Sequence, residues 1–194
     1  MAVDLGVDAL GFVFYENSPR YIAPEDATNI IRRLPPLVSK VGLFVDASHD
    51  EIARVLSQVP IDLVQFHGTE SAAACELVGR PYVKAVRMAE GVDLAAEAAR
   101  FASATALLLD AYADGVAGGT GAVFEWERVP NAFSKPIILA GGLNASNVAS
   151  AIAAVEPYAI DVSTGIESDK GVKDPAKMAE FMLEVTGIER NLNH

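Results

Sequence analysis

The sequence is poor in cysteine and in positive charge, and it has no long hydrophobic run. Its 194 residues include one cysteine, Cys75, which excludes an intrachain disulfide framework and any zinc site built from several cysteines. Lys and Arg number 15 against 26 Asp and Glu, a formal charge of −11, and the isoelectric point is near 4.6. There is no basic field to condense onto phosphates, which argues against nucleic acid and anionic membrane surfaces as partners. No apolar stretch approaches the roughly 18 residues of a membrane span. The opening Met1-Ala-Val-Asp-Leu-Gly carries Asp4, with Asp8 close behind, and no basic segment, unlike a signal peptide. A soluble, cytoplasmic protein is expected.

What is present is a globular composition, 51% apolar and 21% charged, in a length suited to one domain. Short β-rich apolar runs at 8–14, 40–45, 63–67, 82–88, 106–110, 136–141 and 159–163 predict strands. Most are continuously apolar rather than alternating, as in strands buried on both faces. Helical spacing lies between them. Ala27, Ile30, Ile31 and Leu34 follow Pro24, and Ile52, Val55, Leu56 and Val59 follow the capping-box pattern Ser48-x-x-Glu51. Asn144 is expected to cap a helix through Val148, Ile152 and Val155. Another, through Met178, Phe181, Met182 and Val185, is expected to open at Asp174-Pro175 and close at Gly187. The tail from 189 to 194 shows no helical pattern and reads as disordered.

Unbroken alternation of strand and helix implies a parallel sheet with helical crossovers. The strand starts lie about 25 residues apart, and eight such units take about 200 residues, the size of a closed barrel. A doubly wound sheet competes, but it usually opens with a glycine fingerprint after its first strand, and Gly11-Phe-Val-Phe is not one. The expected fold is an α/β TIM (β/α)8 barrel over residues 1–194, of which seven strands and seven full helices or fewer are found. Ala2, Val3 and Leu5 followed by Gly6 read as the end of a helix that nothing caps at its start. The chain is therefore expected to be N-terminally truncated, starting inside the first βα unit and lacking one strand and half a helix.

In such barrels chemistry gathers at the C-terminal ends of the strands. Arg20 lies in the loop after the first predicted strand, either an exposed loop arginine or a guanidinium suited to grip a carboxylate. His67 ends the third, as a structural hydrogen-bonder or a catalyst. Asp110 ends Ala-Leu-Leu-Leu-Asp, a carboxyl delivered from apolar surroundings that serves either as a general acid or as a turn residue. Three glycine-containing turns, 118–121, 140–143 and 163–166, together point to a phosphate ligand cradled by backbone N–H groups. Cys75 sits on a helical stretch away from any strand end and reads as a small buried hydrophobe. Phe124 and Trp126 read as core or lid packing.

Several stretches, in order along nearly the whole chain, resemble the phosphoribosylanthranilate isomerase family. They are Asp8-Ala-Leu-Gly-Phe-Val-Phe-Tyr with Ser18-Pro-Arg-Tyr, Val41-Gly-Leu-Phe-Val, Gln65-Phe-His-Gly, Leu108-Leu-Asp-Ala, Gly118-Gly-Thr-Gly with Phe124-Glu-Trp, Leu139-Ala-Gly-Gly-Leu, and Asp161-Val-Ser-Thr-Gly-Ile-Glu with Gly171-Val-Lys-Asp. The resemblance implies a (β/α)8 isomerase of tryptophan biosynthesis. Such an enzyme converts N-(5-phosphoribosyl)anthranilate to 1-(o-carboxyphenylamino)-1-deoxyribulose 5-phosphate by an Amadori rearrangement, with no metal or organic cofactor. It implies Asp110 as general acid and Arg20 as the residue that holds the anthranilate carboxylate. His67, Gly119, Thr120, Gly121, Gly141, Gly142, Ser163, Thr164 and Gly165 are the further substrate-binding residues, most of them in the phosphate cradle. The partner is a small-molecule phosphosugar, and the assembly a monomer or homodimer.

The family's general base is a cysteine in a Lys-x-Cys-Gly segment at the end of its first strand, and no such segment occurs here. Cys75 does not replace it by position. The polypeptide as written is therefore expected to be a poor isomerase or an inactive one, with His67 as a remote surrogate base. Two rival readings stay open: another phosphosugar barrel isomerase or epimerase, which would not need Arg20, and a non-catalytic phosphate-binding remnant.

Overall fold

The computed structural model describes residues 1–111, 125–130 and 133–192, with side chains up to residue 187. Seven strands form one parallel sheet in chain order: β1 (Ala9–Val13), β2 (Ser39–Phe44), β3 (Leu63–Phe66), β4 (Tyr82–Arg87), β5 (Ala106–Asp110), β6 (Ile137–Leu139) and β7 (Ala159–Ile160). All seven expected strands are found. β6 and β7 differ most, each three residues shorter than expected, and β7 stops at Ile160. The Asp161 N–H still donates to the Leu139 carbonyl, and the chain then leaves for a 3₁₀ turn at Thr164–Ile166. Among the described residues β1 and β7 each have a partner strand on one side only, with β1 bridged on its other side at Val13 to Tyr21.

Among the described residues six α-helices accompany the strands: α1 (Pro24–Ile31), α2 (His49–Gln58), α3 (Ala72–Leu77), α4 (Leu94–Arg100), α5 (Val148–Val155) and α6 (Pro175–Leu192). A small antiparallel hairpin, β8 (Glu167–Asp169) with β9 (Val172–Lys173), follows β7 and was not foreseen. None of these helices is long and apolar enough to cross a membrane.

Alternation along the strands sorts the sheet into two faces. Val64, Phe66, Leu107, Leu109 and Leu139 pack against helix residues such as Ala27, Ile52, Val148 and Phe181. The intervening residues Val83, Ala85, Ala106, Leu108 and Ala140 form a second cluster with Leu63 and Ile138 on the opposite, inner face. That cluster is mostly small side chains, as a narrow interior requires. The inner parity carries past the apolar layer to Gln65 and His67 on β3, and to Asp110 on β5.

Local signals explain the element ends. Ser48 caps α2 as its sequence predicts. Its hydroxyl accepts from the Glu51 N–H, and the Glu51 carboxylate accepts from the Ser48 N–H at 2.8 Å. The 3₁₀ turn Val3–Leu5 ends on Gly6 at φ +91°, in line with the helix-end reading. Two boundaries differ from expectation. Asn144 does not cap α5, because its side chain accepts from the Ser146 N–H and hydroxyl in a turn one step earlier, and the helix starts at Val148. Gly187 does not end α6, which continues to Leu192 through the stretch read as a tail. A glycine inside a helix costs about 1 kcal/mol relative to alanine, but it stops one only by adopting the left-handed conformation, and Gly187 does not.

Candidate active site

β3 and β5 bring three polar side chains together at the strand ends. Asp110 is nearly buried, and its Oδ2 lies 3.0 Å from Nε2 of His67. On the other side of the ring, Gln65 Nε2 lies 3.1 Å from His67 Nδ1. With the amide nitrogen donating to Nδ1, the imidazole carries its proton on Nε2 and presents it to Asp110. Two of the expected site residues, Asp110 and His67, are thus in contact. Gln65, which orients the ring, was missed, although it shares the inner parity of β3.

A second carboxyl comes from the end of β7. Partial desolvation by the surrounding protein pushes the pKa of Asp161 up. His67 opposes that shift and Asp110 adds to it. The Asp161 surface is nonetheless still open to solvent. Its position at a strand end, like that of Asp110, was the available signal.

The turn that carries His67 is held from behind by a buried ion pair. Lys84 Nζ donates to Glu70 Oε2 at 3.1 Å and to the Gly68 carbonyl at 2.7 Å, while Glu70 Oε1 accepts from the N–H groups of Asp46 and Gly68. Both side chains are 5% exposed, so each charge depends on the other for compensation.

Two of the three glycine turns are described, and both require glycine. Gly141 has φ +82°, and a Cβ there would strike the backbone nitrogen of Ala111 at the end of β5. A Cβ on Gly165 would strike the Leu143 carbonyl oxygen, so the turns after β6 and β7 pack backbone to backbone. The N–H groups of Gly141, Gly142 and Ser163 have no hydrogen-bond partner among the described residues. The remaining expected cradle residues, Gly119, Thr120 and Gly121, and also Phe124, lie outside the described residues. Trp126 is partly buried against the core, as expected.

Arg20 is neither an exposed loop arginine nor unengaged. Its Nε and Nη2 donate to the two carboxylate oxygens of Glu167, each at 2.7 Å, across from β1 to the hairpin after β7. Lys173 Nζ donates to the same carboxylate at 2.9 Å and to the Ser163 carbonyl at 2.9 Å. Burial alone would push the Glu167 carboxyl up, but the hydrogen bonds and charges of Arg20 and Lys173 outweigh it and hold the pKa down to about 2. Gly171, at φ +82° in the hairpin, lies against the same loop; a Cβ on it would stand 2.5 Å from the Pro19 carbonyl oxygen. Cys75 is fully buried on α3, and burial, with Glu70 nearby, pushes its thiol up to about 11, which fits the packing role expected of it.

Residues 1–184 match the family model described as N-(5'phosphoribosyl)anthranilate (PRA) isomerase. The chain belongs to the PRA isomerase family. It is 56% identical over 187 residues to N-(5'-phosphoribosyl)anthranilate isomerase of Nitrosococcus oceani, covering 96% of this chain and 91% of that protein. The crystal structure of the Thermotoga maritima PRA isomerase superposes with a TM-score of 0.87 at 37% identity, covering 96% of this chain and 91% of the other. A PRA isomerase in complex with reduced 1-(o-carboxyphenylamino)-1-deoxyribulose 5-phosphate superposes at 0.81 with 35% identity and the same coverage. The sheet of this PRA isomerase family member is accordingly that of the family's α/β barrel.

Proposed function

We propose that this chain acts on N-(5-phosphoribosyl)anthranilate as an intramolecular aldose–ketose isomerase of tryptophan biosynthesis, in the cytoplasm. It works as a monomer or homodimer, without nucleic acid or membrane partners and without a cofactor. The observation that carries the reading is the delivery of Asp110 to the strand ends that also present His67, the two glycine turns and Arg20.

In this mechanism Asp110 gives its proton to the ribose ring oxygen, the C1–O bond breaks, and the ring opens to a protonated Schiff base. Loss of the C2 proton to a base gives the enolamine, which relaxes to the ketone, so the reaction is a net isomerisation. His67, oriented by Gln65, holds the Asp110 carboxyl toward the mouth. The N–H groups of Gly141, Gly142 and Ser163, with Thr164 and Gly165, hold the phosphate, and Gly119, Thr120 and Gly121 complete that set. Local backbone dipoles let a chain of formal charge −11 bind an anion. Arg20 keeps three N–H donors beyond those given to Glu167, enough for the anthranilate carboxylate. This requirement favours the anthranilate-bearing substrate over a simple pentose phosphate.

The one cysteine of this polypeptide is Cys75, whose buried, up-shifted thiol is no base at neutral pH. A general base contributes about 10²–10⁴-fold to such a proton transfer, and Cys75 does not supply it. The test is steady-state turnover of the 194-residue chain on phosphoribosylanthranilate, followed by loss of the substrate's fluorescence. Turnover that Asp110→Asn abolishes is expected. An undiminished rate in Asp110→Asn would remove Asp110 as the acid. Phosphosugar binding with no turnover at all would favour the non-catalytic remnant.

A further inference from the structure

Arg20, Glu167 and Lys173 form a chain of alternating charge on the rim, joining the loop after β1 to the hairpin after β7. Glu167 takes two of the five N–H donors of the Arg20 guanidinium and leaves three without a partner among the described residues. An arginine bound to a glutamate alone would be a neutral pair, a poor host for another anion. Lys173 alters that balance: with its ammonium on Glu167 Oε1, the three groups together carry one net positive charge. The Glu167 side chain is 5% exposed, against 39% for Lys173, so the carboxylate is fixed while the ammonium stays in reach of solvent.

We propose that Glu167 and Lys173 are positioning residues that make Arg20 selective for a ligand carboxylate. Glu167 locks one edge of the guanidinium so that the remaining donors form a preset fork, and Lys173 offsets the Glu167 charge so that the fork stays cationic. The inference rests on the reading of Arg20 as the carboxylate-binding residue. It differs from a purely electrostatic account, in which Glu167 competes with the ligand for Arg20. On that account Glu167→Gln adds positive charge and tightens carboxylate binding. Here the same change frees the guanidinium and weakens it.

The readout is a preference ratio: the dissociation constants of two probes are measured by calorimetry on the full chain near pH 7. One probe is reduced 1-(o-carboxyphenylamino)-1-deoxyribulose 5-phosphate; the other is the same molecule with hydrogen in place of the carboxylate. Both carry the phosphate, so a general loosening of the mouth, including any through the Lys173–Ser163 contact, weakens both and leaves the ratio unchanged. Glu167→Gln and Lys173→Gln are each expected to lower the preference for the carboxylate probe by about tenfold, the scale of a charge-assisted hydrogen bond. Glu167→Asp, which restores the charge, is expected to recover part of it. An unchanged or increased preference in Glu167→Gln overturns the proposal. Should that variant fail to fold, an unchanged preference in the more exposed Lys173→Gln overturns it equally. Arg20→Gln separates the two levels. If it keeps the preference, the reading of Arg20 itself is wrong; if only Arg20→Gln loses the preference, Arg20 stands and the positioning role of its neighbours falls.

Discussion

Two carboxyls near the mouth respond to pH in opposite senses. Glu167 has a folded-state pKa of about 2 against an ordinary 4.5. Its contribution to stability is fully present above the unfolded value and is lost as pH falls from there through the folded one. By linkage it amounts to at most about 3 kcal/mol. Thermal melts of Glu167→Gln between pH 5 and 2 are expected to show a flatter acid limb than the parent; a limb of unchanged slope would mean that other groups carry it. Asp161, pushed up by partial desolvation and by Asp110, has the reverse sign, with an effect that its exposure to solvent keeps small. Its ionised form costs stability above the folded pKa, and the cost disappears as pH falls through that value. Asp161→Asn is accordingly expected to raise the melting temperature at pH 7, with the gain shrinking as the pH is lowered.

At the scale of elements, much was legible because the signals were local and redundant. The strand from 106 to 110 is four unbroken apolar residues followed by Asp110, and the structure reproduces its bounds unchanged. The capping box of α2 is likewise written in four consecutive residues. Ser48→Ala is expected to destabilise the chain by about 1 kcal/mol, measured by urea denaturation. Asn144 and Gly187 misled because each residue type serves more than one local geometry. An asparagine is as suited to an isolated turn as to a cap, and a glycine ends a helix only when its φ turns positive. The β8–β9 hairpin was invisible as structure: Glu167–Asp169 and Val172–Lys173 are too short and too polar to show strand periodicity. The members of the site at strand ends, Asp110 and His67, could be read from their place in the alternation. The pairing of Arg20 with Glu167 could not, since no local pattern records a contact between residues 147 apart.

Across the described sheet, burial is graded from the centre to the margins. β4 and β5 are buried along almost their entire length and share five register positions, whereas β6 and β7 share two. Residues at the margins, Ala9 and Gly11 on β1 among them, are exposed. Amide hydrogen exchange is expected to be slowest in β4 and β5 and markedly faster in β1 and β7. Uniform protection across the sheet would show that the margins are covered in solution.

The bond from Arg20 to Glu167 also has a consequence in time. Arg20 leaves the ribosome early and Glu167 late, so the rim that joins them cannot exist on a nascent chain until most of the sheet has been made. Closing so long a loop is an entropic cost that only the packed strands between the two residues reduce. Affinity for a carboxylate-bearing ligand would then be among the last properties the chain acquires, and its appearance would mark the completion of folding.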